Sequence, residues 1–114
     1  MTEGGKRAFL LKLGLSRRAG EVIIGQDRIR ATISAGKGPL FLLFTNDASP
    51  SVVRRFAPAE PKGSNHIVRL ESVSRWELGA ALGLSSTQVV GFFTASRFAE
   101  MLLEDLRREG DVIE

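Results

Sequence analysis

The 114-residue sequence has no cysteine, no tyrosine, one tryptophan and one histidine. The lack of cysteine excludes disulfide bonds, thiolate nucleophiles and cysteine-ligated zinc, and it fits a reducing cytoplasm, where we expect the protein to reside. The single histidine, His66, has no neighbouring carboxylate pair and is interpreted as an edge-strand or loop residue. We therefore expect neither a metal site nor any other cofactor.

Long apolar runs are also missing. The longest, Pro39–Phe44, is far shorter than the roughly 20 residues that a membrane-spanning helix needs. The N-terminus carries Glu3, Lys6 and Arg7 without a signal-type apolar segment, so we expect an unexported chain with no membrane partner. Length and composition are those of an ordinary globular protein, and we predict a single domain over residues 1–114.

No group of residues in the sequence predicts catalysis. The serines and Asp47 have no second histidine or lysine at triad-like spacing, and Gly36-Lys37-Gly38 lacks both the first glycine and the Ser or Thr of a phosphate-binding loop. Asp47 follows an apolar run, so we expect it to hydrogen-bond the turn and a helix cap, or to orient a ligand. The chain is predicted not to be an enzyme and to have no small-molecule substrate.

Positive charge is concentrated in the first half of the chain. Residues 1–55 hold ten Lys and Arg against four Asp and Glu, whereas residues 56–114 hold six against nine, which together give the net charge of +3. Twelve of the sixteen basic residues are arginine, the side chain best suited to forked contacts with phosphate. This asymmetry suggests an acidic partner such as a nucleic acid, although a solvated basic face would have the same composition.

Apolar spacing and capping residues predict an alternation of strands and helices. Strands are expected at Glu21–Ile24, Leu40–Thr45, His66–Leu70 and Gln88–Phe93, with the second of these in the centre of the sheet. Five helices are predicted. The first spans residues 6–19, and the second contains Ile29 and Ile33 and ends at Gly36. The third is capped by Ser49 and shortened by Pro58 and Pro61, the fourth is capped by Ser74 with Glu77, and the fifth is Ser96–Arg108.

Helices of this length between strands require crossover connections. We therefore predict an α/β fold, a three-layer α/β/α sandwich with about four strands in a mostly parallel or mixed sheet and helices on both faces. Lys62–Asn65 is predicted to be loop, and the last residues are expected to fray.

Two segments carry a resemblance to a known family, residues 17–50 (RRAGEVIIGQDRIRATISAGKGPLFLLFTNDASP) and residues 76–83 (WELGAALG). They resemble the ribosomal protein L-seven-Ae and L-thirty-e family, in particular its small bacterial YlxQ-type members, including those fused to a YlxR-type domain. The resemblance covers roughly residues 6 to 107. Its most specific pieces are Arg18-Ala19-Gly20, Gly25, Asn46-Asp47-Ala48-Ser49-Pro50 and Glu77-Leu78-Gly79.

The resemblance implies an RNA-binding protein associated with the ribosome or the translation machinery. In the family, kink-turn RNA lies against the N-terminus of the second helix and the loop before the fourth strand. The corresponding glycine is Gly25, and the loop is Leu84–Thr87. A helix N-terminus offers unpaired N–H groups and partial positive charge, so it suits phosphate.

The sequence departs from the family at the residues that read bases. The family's Asn-Glu pair falls on Asp27 and Arg28, and its lysine falls on Ala31. An aspartate loses the amide donor and adds negative charge, so these positions predict an arginine-led, electrostatic contact rather than the usual reading of G·A pairs. The predicted RNA-binding residues are Arg17, Arg18, Gly25, Gln26, Asp27, Arg28, Arg30, Asp47, Ser85, Ser86 and Thr87.

Several of these residues have simpler interpretations. Arg17 and Arg18 end a helix, where cations offset its dipole, and Arg54 and Arg55 suit a solvated helix face. Trp76, directly after a cap, is predicted to be a packing residue. An alternative function is a protein-interaction module that has lost kink-turn specificity, with ribosomal or nucleic-acid-associated partners contacting Phe56–Pro61 or the last helix.

Overall fold

A computed structural model of the chain describes residues 1–56 and 65–110, together with the backbone of residues 112 and 113. The predictions made for Pro58, Pro61 and residues 62–64 lie outside the described residues. Within the described part, no helix has the length and apolar character needed to cross a membrane.

Local capping signals place the helices close to their predicted positions. Thr2 caps the first helix by accepting a hydrogen bond from the Gly5 N–H, which starts that helix three residues earlier than predicted. Ser74 and Glu77 form the predicted capping box, and Ser96 caps the last helix. The helices are α1 (Glu3–Arg18), α2 (Gln26–Ser34), α3 (Pro50–Phe56), α4 (Arg75–Ala81) and α5 (Arg97–Glu109).

Among the described residues, the sheet has the order β1-β4-β2-β3-β5, and β2 with β3 is its only parallel pair. The mixed sheet is confirmed, whereas a mostly parallel one is not. Every residue of β2 is buried, as predicted for the central strand. The strands are β1 (Ile23–Ile24), β2 (Leu40–Phe44), β3 (His66–Leu70), β4 (Val89–Phe93) and β5 (Val112–Ile113).

The expectation that the last residues fray is wrong for residues 112 and 113. These two residues pair antiparallel with Leu70 and Arg69 at the edge of the sheet. Gly110 adopts a left-handed conformation, with a φ of 68°, which ends α5 and redirects the chain. A sequence pattern contains no signal for this pairing, because the partner strand lies some forty residues earlier.

Helices cover both faces of the sheet, which confirms the three-layer sandwich. Successive side chains of a strand point to opposite faces. Phe41 and Leu43 pack with α1, α4 and α5, whereas Leu40, Leu42 and Phe44 pack with α2 and α3. The helical side chains buried in these cores include Phe9, Leu13, Leu78, Leu102 and Leu106 on the first face and Ile29, Val52 and Phe56 on the second.

Two ion pairs fix α1 against its neighbours. Asp105 of α5 is only 5% exposed, and it contacts Lys12 of α1 at 2.6 Å and Arg108 at 2.7 Å. A buried carboxylate requires such partners to offset its lost hydration. On the other side of α1, Lys6 pairs with Glu77 of α4. Helix α1 is therefore held from two sides.

Candidate nucleic-acid interface

Most of the predicted site residues lie along one edge of the sheet, the one formed by the ends of its strands. The register pairs Ile24 with Val90 and Phe44 with Val89, so β1 and β2 end where β4 begins. Strand β3 ends at the same edge because it is parallel to β2. Helices α2, α3 and α4 each start from a loop at this edge. We call it the loop edge, formed by residues 25–28, 46–49, 71–75 and 84–88.

Helix α2 begins at the loop edge without a side-chain cap. Its N-cap is the exposed Gly25, with a φ of 99°, and the first helical hydrogen bond runs from Ile29 N–H to Gly25 O at 3.0 Å. The N–H groups of Gln26, Asp27 and Arg28 precede that bond and have no acceptor within the helix. A Cβ at Gly25 would meet no atom within 4 Å, so backbone conformation rather than crowding favours glycine.

The loop before β4 is packed directly on α4. A Cβ added to Gly79 would lie 2.6 Å from Ser86 Cα and 2.8 Å from Ser86 N, closer than contacts between real Cβ atoms and their neighbours. Thr87 N–H also donates to Arg75 O at 3.1 Å. Ser85 and Ser86 are left exposed at the loop edge. The glycine of the Glu77-Leu78-Gly79 motif thus positions a loop that belongs to the candidate site.

Asp47 hydrogen-bonds both its own turn and the start of α4, as expected from the sequence. Its Oδ1 accepts a hydrogen bond from Arg75 N–H at 2.9 Å, and its backbone carbonyl accepts one from the Arg75 guanidinium at 2.6 Å. Partial burial raises the pKa of Asp47, but hydrogen bonds with Thr45 and with the Arg75 backbone, together with the Arg75 charge, outweigh it and lower that pKa. The Asp47 carboxylate is consequently ionised and paired.

Two glutamines join the loops of the edge. Gln88 Oε1 accepts from Ser49 N–H at 2.7 Å, which ties the start of α3 to the start of β4. Gln26 Oε1 accepts from Arg55 at 2.6 Å, which ties α2 to α3. Sequence reasoning missed Gln88, Arg55 and Arg75 as parts of this site, because their contacts cross long sequence separations.

Arg28 and Arg30 are both exposed, but they lie on opposite flanks of α2. Successive helical residues are rotated by about 100°, so residues two apart diverge by about 160°. Gln26 and Arg30 share a flank at i, i+4 spacing, and this is the flank that contacts Arg55. Asp27 is also exposed and lies between the two arginines on the outer surface.

Arg17 has a partner that the sequence does not predict. Its guanidinium donates to Leu82 O at the end of α4, so it caps that helix rather than its own. Arg17 also lies 3.3 Å from the position of a Cβ on Gly83, immediately before the loop of residues 84–87. Arg18 is exposed beside it and lines a groove between α1 and α4.

Two predictions about aromatic residues are wrong. Trp76 is 63% exposed and is not a packing residue, because α4 buries Leu78, about 160° away from Trp76 around the helix. Phe56 is completely buried, so it does not offer a docking surface at the end of α3. The rest of that predicted surface, residues 57–61, lies outside the described residues.

Further predictions concern Arg54, Arg55 and His66. Arg54 and Arg55 are both exposed on α3, as predicted for a solvated face, but Arg55 also makes the hydrogen bond to Gln26. His66 begins β3, which is not an edge strand because it lies between β2 and β5, although β5 pairs only with Arg69 and Leu70. The His66 ring lies 5.9 Å from that of Phe41. Among residues 1–56 and 65–110, no cluster of His, Asp or Glu side chains could hold a metal ion.

The fold resembles solved structures although the sequence matches no protein-family profile and no curated protein. A protein of unknown function from Bacillus halodurans aligns with a TM-score of 0.73 and 20% identity over 87% of this chain and 96% of that one. The 15.5 kD RNA-binding protein of Giardia lamblia aligns with a TM-score of 0.65 and 19% identity over 95% of this chain and 89% of that one. At such identities the likeness establishes the shared fold alone.

Proposed function

We propose that this protein binds structured RNA through the loop edge, as a member of the ribosomal protein L-seven-Ae and L-thirty-e family acting in the ribosome or the translation machinery. One observation carries the proposal: the uncapped N-terminus of α2 and the loop of residues 84–87 lie at the same edge, although about sixty residues separate them in sequence. Likeness to an RNA-binding protein of the same fold supports it.

The chemistry of the edge suits a phosphate backbone approaching α2 end-on. Free N–H groups at Gln26, Asp27 and Arg28 and the helix dipole favour an anion there. Arg28 and Arg30 then contact the backbone on either side of the helix, while the Ser85 and Ser86 hydroxyls donate or accept hydrogen bonds from the neighbouring loop.

Asp27 sets a limit on what the RNA can present to α2. Its carboxylate oxygens accept hydrogen bonds and repel phosphate, so the side chain suits an amino group on a base edge. The family's amide at this position both donates and accepts. We therefore infer a preference that differs from the standard reading of sheared G·A pairs, with affinity supplied mainly by arginine.

The test is filter binding of the purified protein to kink-turn and ribosomal RNA fragments over a series of salt concentrations. The Arg28→Ala, Arg30→Ala double variant should weaken binding and reduce the slope of log K against log salt by about 2, because each lost phosphate contact removes about one unit. Failure of the wild type to bind any structured RNA at low salt would refute the proposal.

The matched control removes two other exposed arginines. Arg97 and Arg107 of α5 are exposed, and Arg97 follows the end of β4 at the opposite edge of the sheet. The Arg97→Ala, Arg107→Ala double variant has the same net charge as the test variant. An equal loss of affinity in both variants would indicate a general charge effect and would move the site away from α2.

A further inference from the structure

A groove between α1 and α4 exposes apolar side chains outside the loop edge. Leu11 is 66% exposed and Leu15 is 45% exposed, and they lie one helical turn apart on α1. Ala80 and Ala81 form the opposite wall, and the groove has a volume of about 890 Å³. We call this surface the α1–α4 groove. Leu11 and Leu15 belong to neither core of the protein, whereas Leu10 and Leu82 connect the floor of the groove to the first core.

The groove is a built feature of the fold rather than a loose surface. Gly14 lies at its base, where an added Cβ would be 3.0 Å from Ala81 O, so the two helices approach closely. The ion pairs of Lys12 with Asp105 and of Lys6 with Glu77 hold α1 on both sides. The leucines are therefore presented in a fixed orientation.

Positive charge surrounds the leucine pair. Arg7 and Arg18 are exposed and stand at the two ends of the groove on α1, and Arg17 lies beside Arg18. The acidic residue of the lining, Glu77, is neutralised by Lys6. A ligand for this surface must offer apolar side chains at its centre and acidic groups at its ends.

We propose that the α1–α4 groove docks an acidic amphipathic helix of a partner protein. Arg7 and Arg18 are eleven residues apart on one helix, a distance of about 16 Å, which about three turns of a bound helix would span. Leucine-type side chains at positions i and i+4 of the partner helix insert between Leu11, Leu15 and Ala80. Acidic side chains at the two ends of that helix pair with Arg7 and Arg18. This proposal does not depend on RNA binding.

Two other occupants fit less well. A second copy related by a two-fold axis would bring the Arg7 end of one groove against the Arg18 end of the other, which places like charges together. RNA would meet aliphatic leucines at the centre, which neither hydrogen-bond nor stack with bases as RNA recognition requires. Both remain outcomes that the experiment distinguishes.

The experiment measures fluorescence anisotropy of a labelled designed peptide of about 18 residues, with leucines along one helical face and glutamates at both ends. A peptide with lysines in place of the glutamates is its control. The wild-type protein should bind the glutamate peptide at least tenfold more tightly than the lysine peptide. The Arg7→Glu, Arg18→Glu double variant should reverse that preference, which loss of folding would not produce.

A second pair of variants tests the leucines. The Leu11→Ser, Leu15→Ser double variant should weaken peptide binding at least tenfold, whereas Met101→Ser, which alters a 40% exposed side chain on α5, should leave it unchanged. Absence of peptide binding at about 1 mM, the weak end of specific affinity, would overturn the proposal. Two other results would also overturn the proposal: a wild-type dimer that becomes monomeric in the Leu11→Ser, Leu15→Ser variant, or loss of RNA binding in that variant.

Discussion

Replacing Gly79 by alanine is expected to displace the loop of residues 84–87 and so affect both stability and RNA binding. The added methyl would lie 2.6 Å from Ser86 Cα, 2.8 Å from its N and 3.0 Å from its carbonyl carbon. All three neighbours are backbone atoms, so no side-chain rotation can relieve the clash. Ordinary contact begins at 3.4 Å, and the loop must therefore move by about 0.8 Å.

The expected change in the free energy of unfolding is the difference between two opposing effects. Alanine is favoured over glycine inside a helix by about 1 kcal/mol. Overpacking of this kind typically costs about 1–3 kcal/mol, and a backbone clash belongs to the upper part of that range. The net loss in the free energy of unfolding should be about 1–2 kcal/mol, accompanied by weaker RNA binding, because Ser85 and Ser86 move with the loop.

Urea denaturation and RNA titration on the same preparations provide the measurement. Gly4→Ala serves as the matched control, since Gly4 is also helical and a Cβ there would meet nothing within 4 Å. That control should leave stability unchanged or raise it by up to about 1 kcal/mol. If Gly79→Ala is as stable as the control and binds RNA as tightly as the wild type, the loop does not pack on α4 as described.

Three other substitutions give independent tests. The pKa of Asp47 in the folded protein lies below its ordinary value of 3.8. The ionised carboxylate therefore stabilises the folded state above pH 3.8, and this stabilisation is lost as pH falls through the folded pKa. Asp47→Asn should accordingly cost up to about 1 kcal/mol in urea unfolding at pH 7, a small value for a carboxylate this accessible, and the difference between the variant and the wild type should narrow as pH falls below 3.8. Gly25→Ala forces a non-glycine residue to a φ of 99° and should cost about 1–2 kcal/mol in thermal unfolding, whereas an unchanged midpoint would contradict that conformation. Trp76→Ala should change stability by less than about 0.5 kcal/mol, because the side chain is 63% exposed, and a loss well above this would restore the packing interpretation.

The parts of the fold that could be predicted from sequence are those with local signals. Ser74 with Glu77 is recognisable as a capping box from four residues, and the uninterrupted apolar run of β2 marks a central strand. Strand order and direction depend on pairing between distant segments. That is why the antiparallel direction of β4, itself predicted as a strand, and the whole of the two-residue β5 were not predicted.

The candidate site likewise has parts that could be predicted from the sequence and parts that could not. Gly25 and the loop of residues 84–87 could be located through the family resemblance. The period of the α-helix alone predicts that Arg28 and Arg30 lie on different faces of α2, and that Trp76 and Leu78 lie on different faces of α4. The contacts of Arg17 with Leu82 and of Arg75 with Asp47 could not be predicted, because each joins residues far apart in the chain.

Helix α2 buries Ile29 completely and packs Ile33 against the same core, while Asp27, Arg28, Arg30 and Ala31 all face solvent. Folding places almost no demand on the side chains at those four positions. In the proposed function, recognition and architecture are therefore assigned to different residues of one helix, and selection can alter the first while leaving the second intact. A lineage can acquire a new binding target through surface substitutions alone, at little thermodynamic cost.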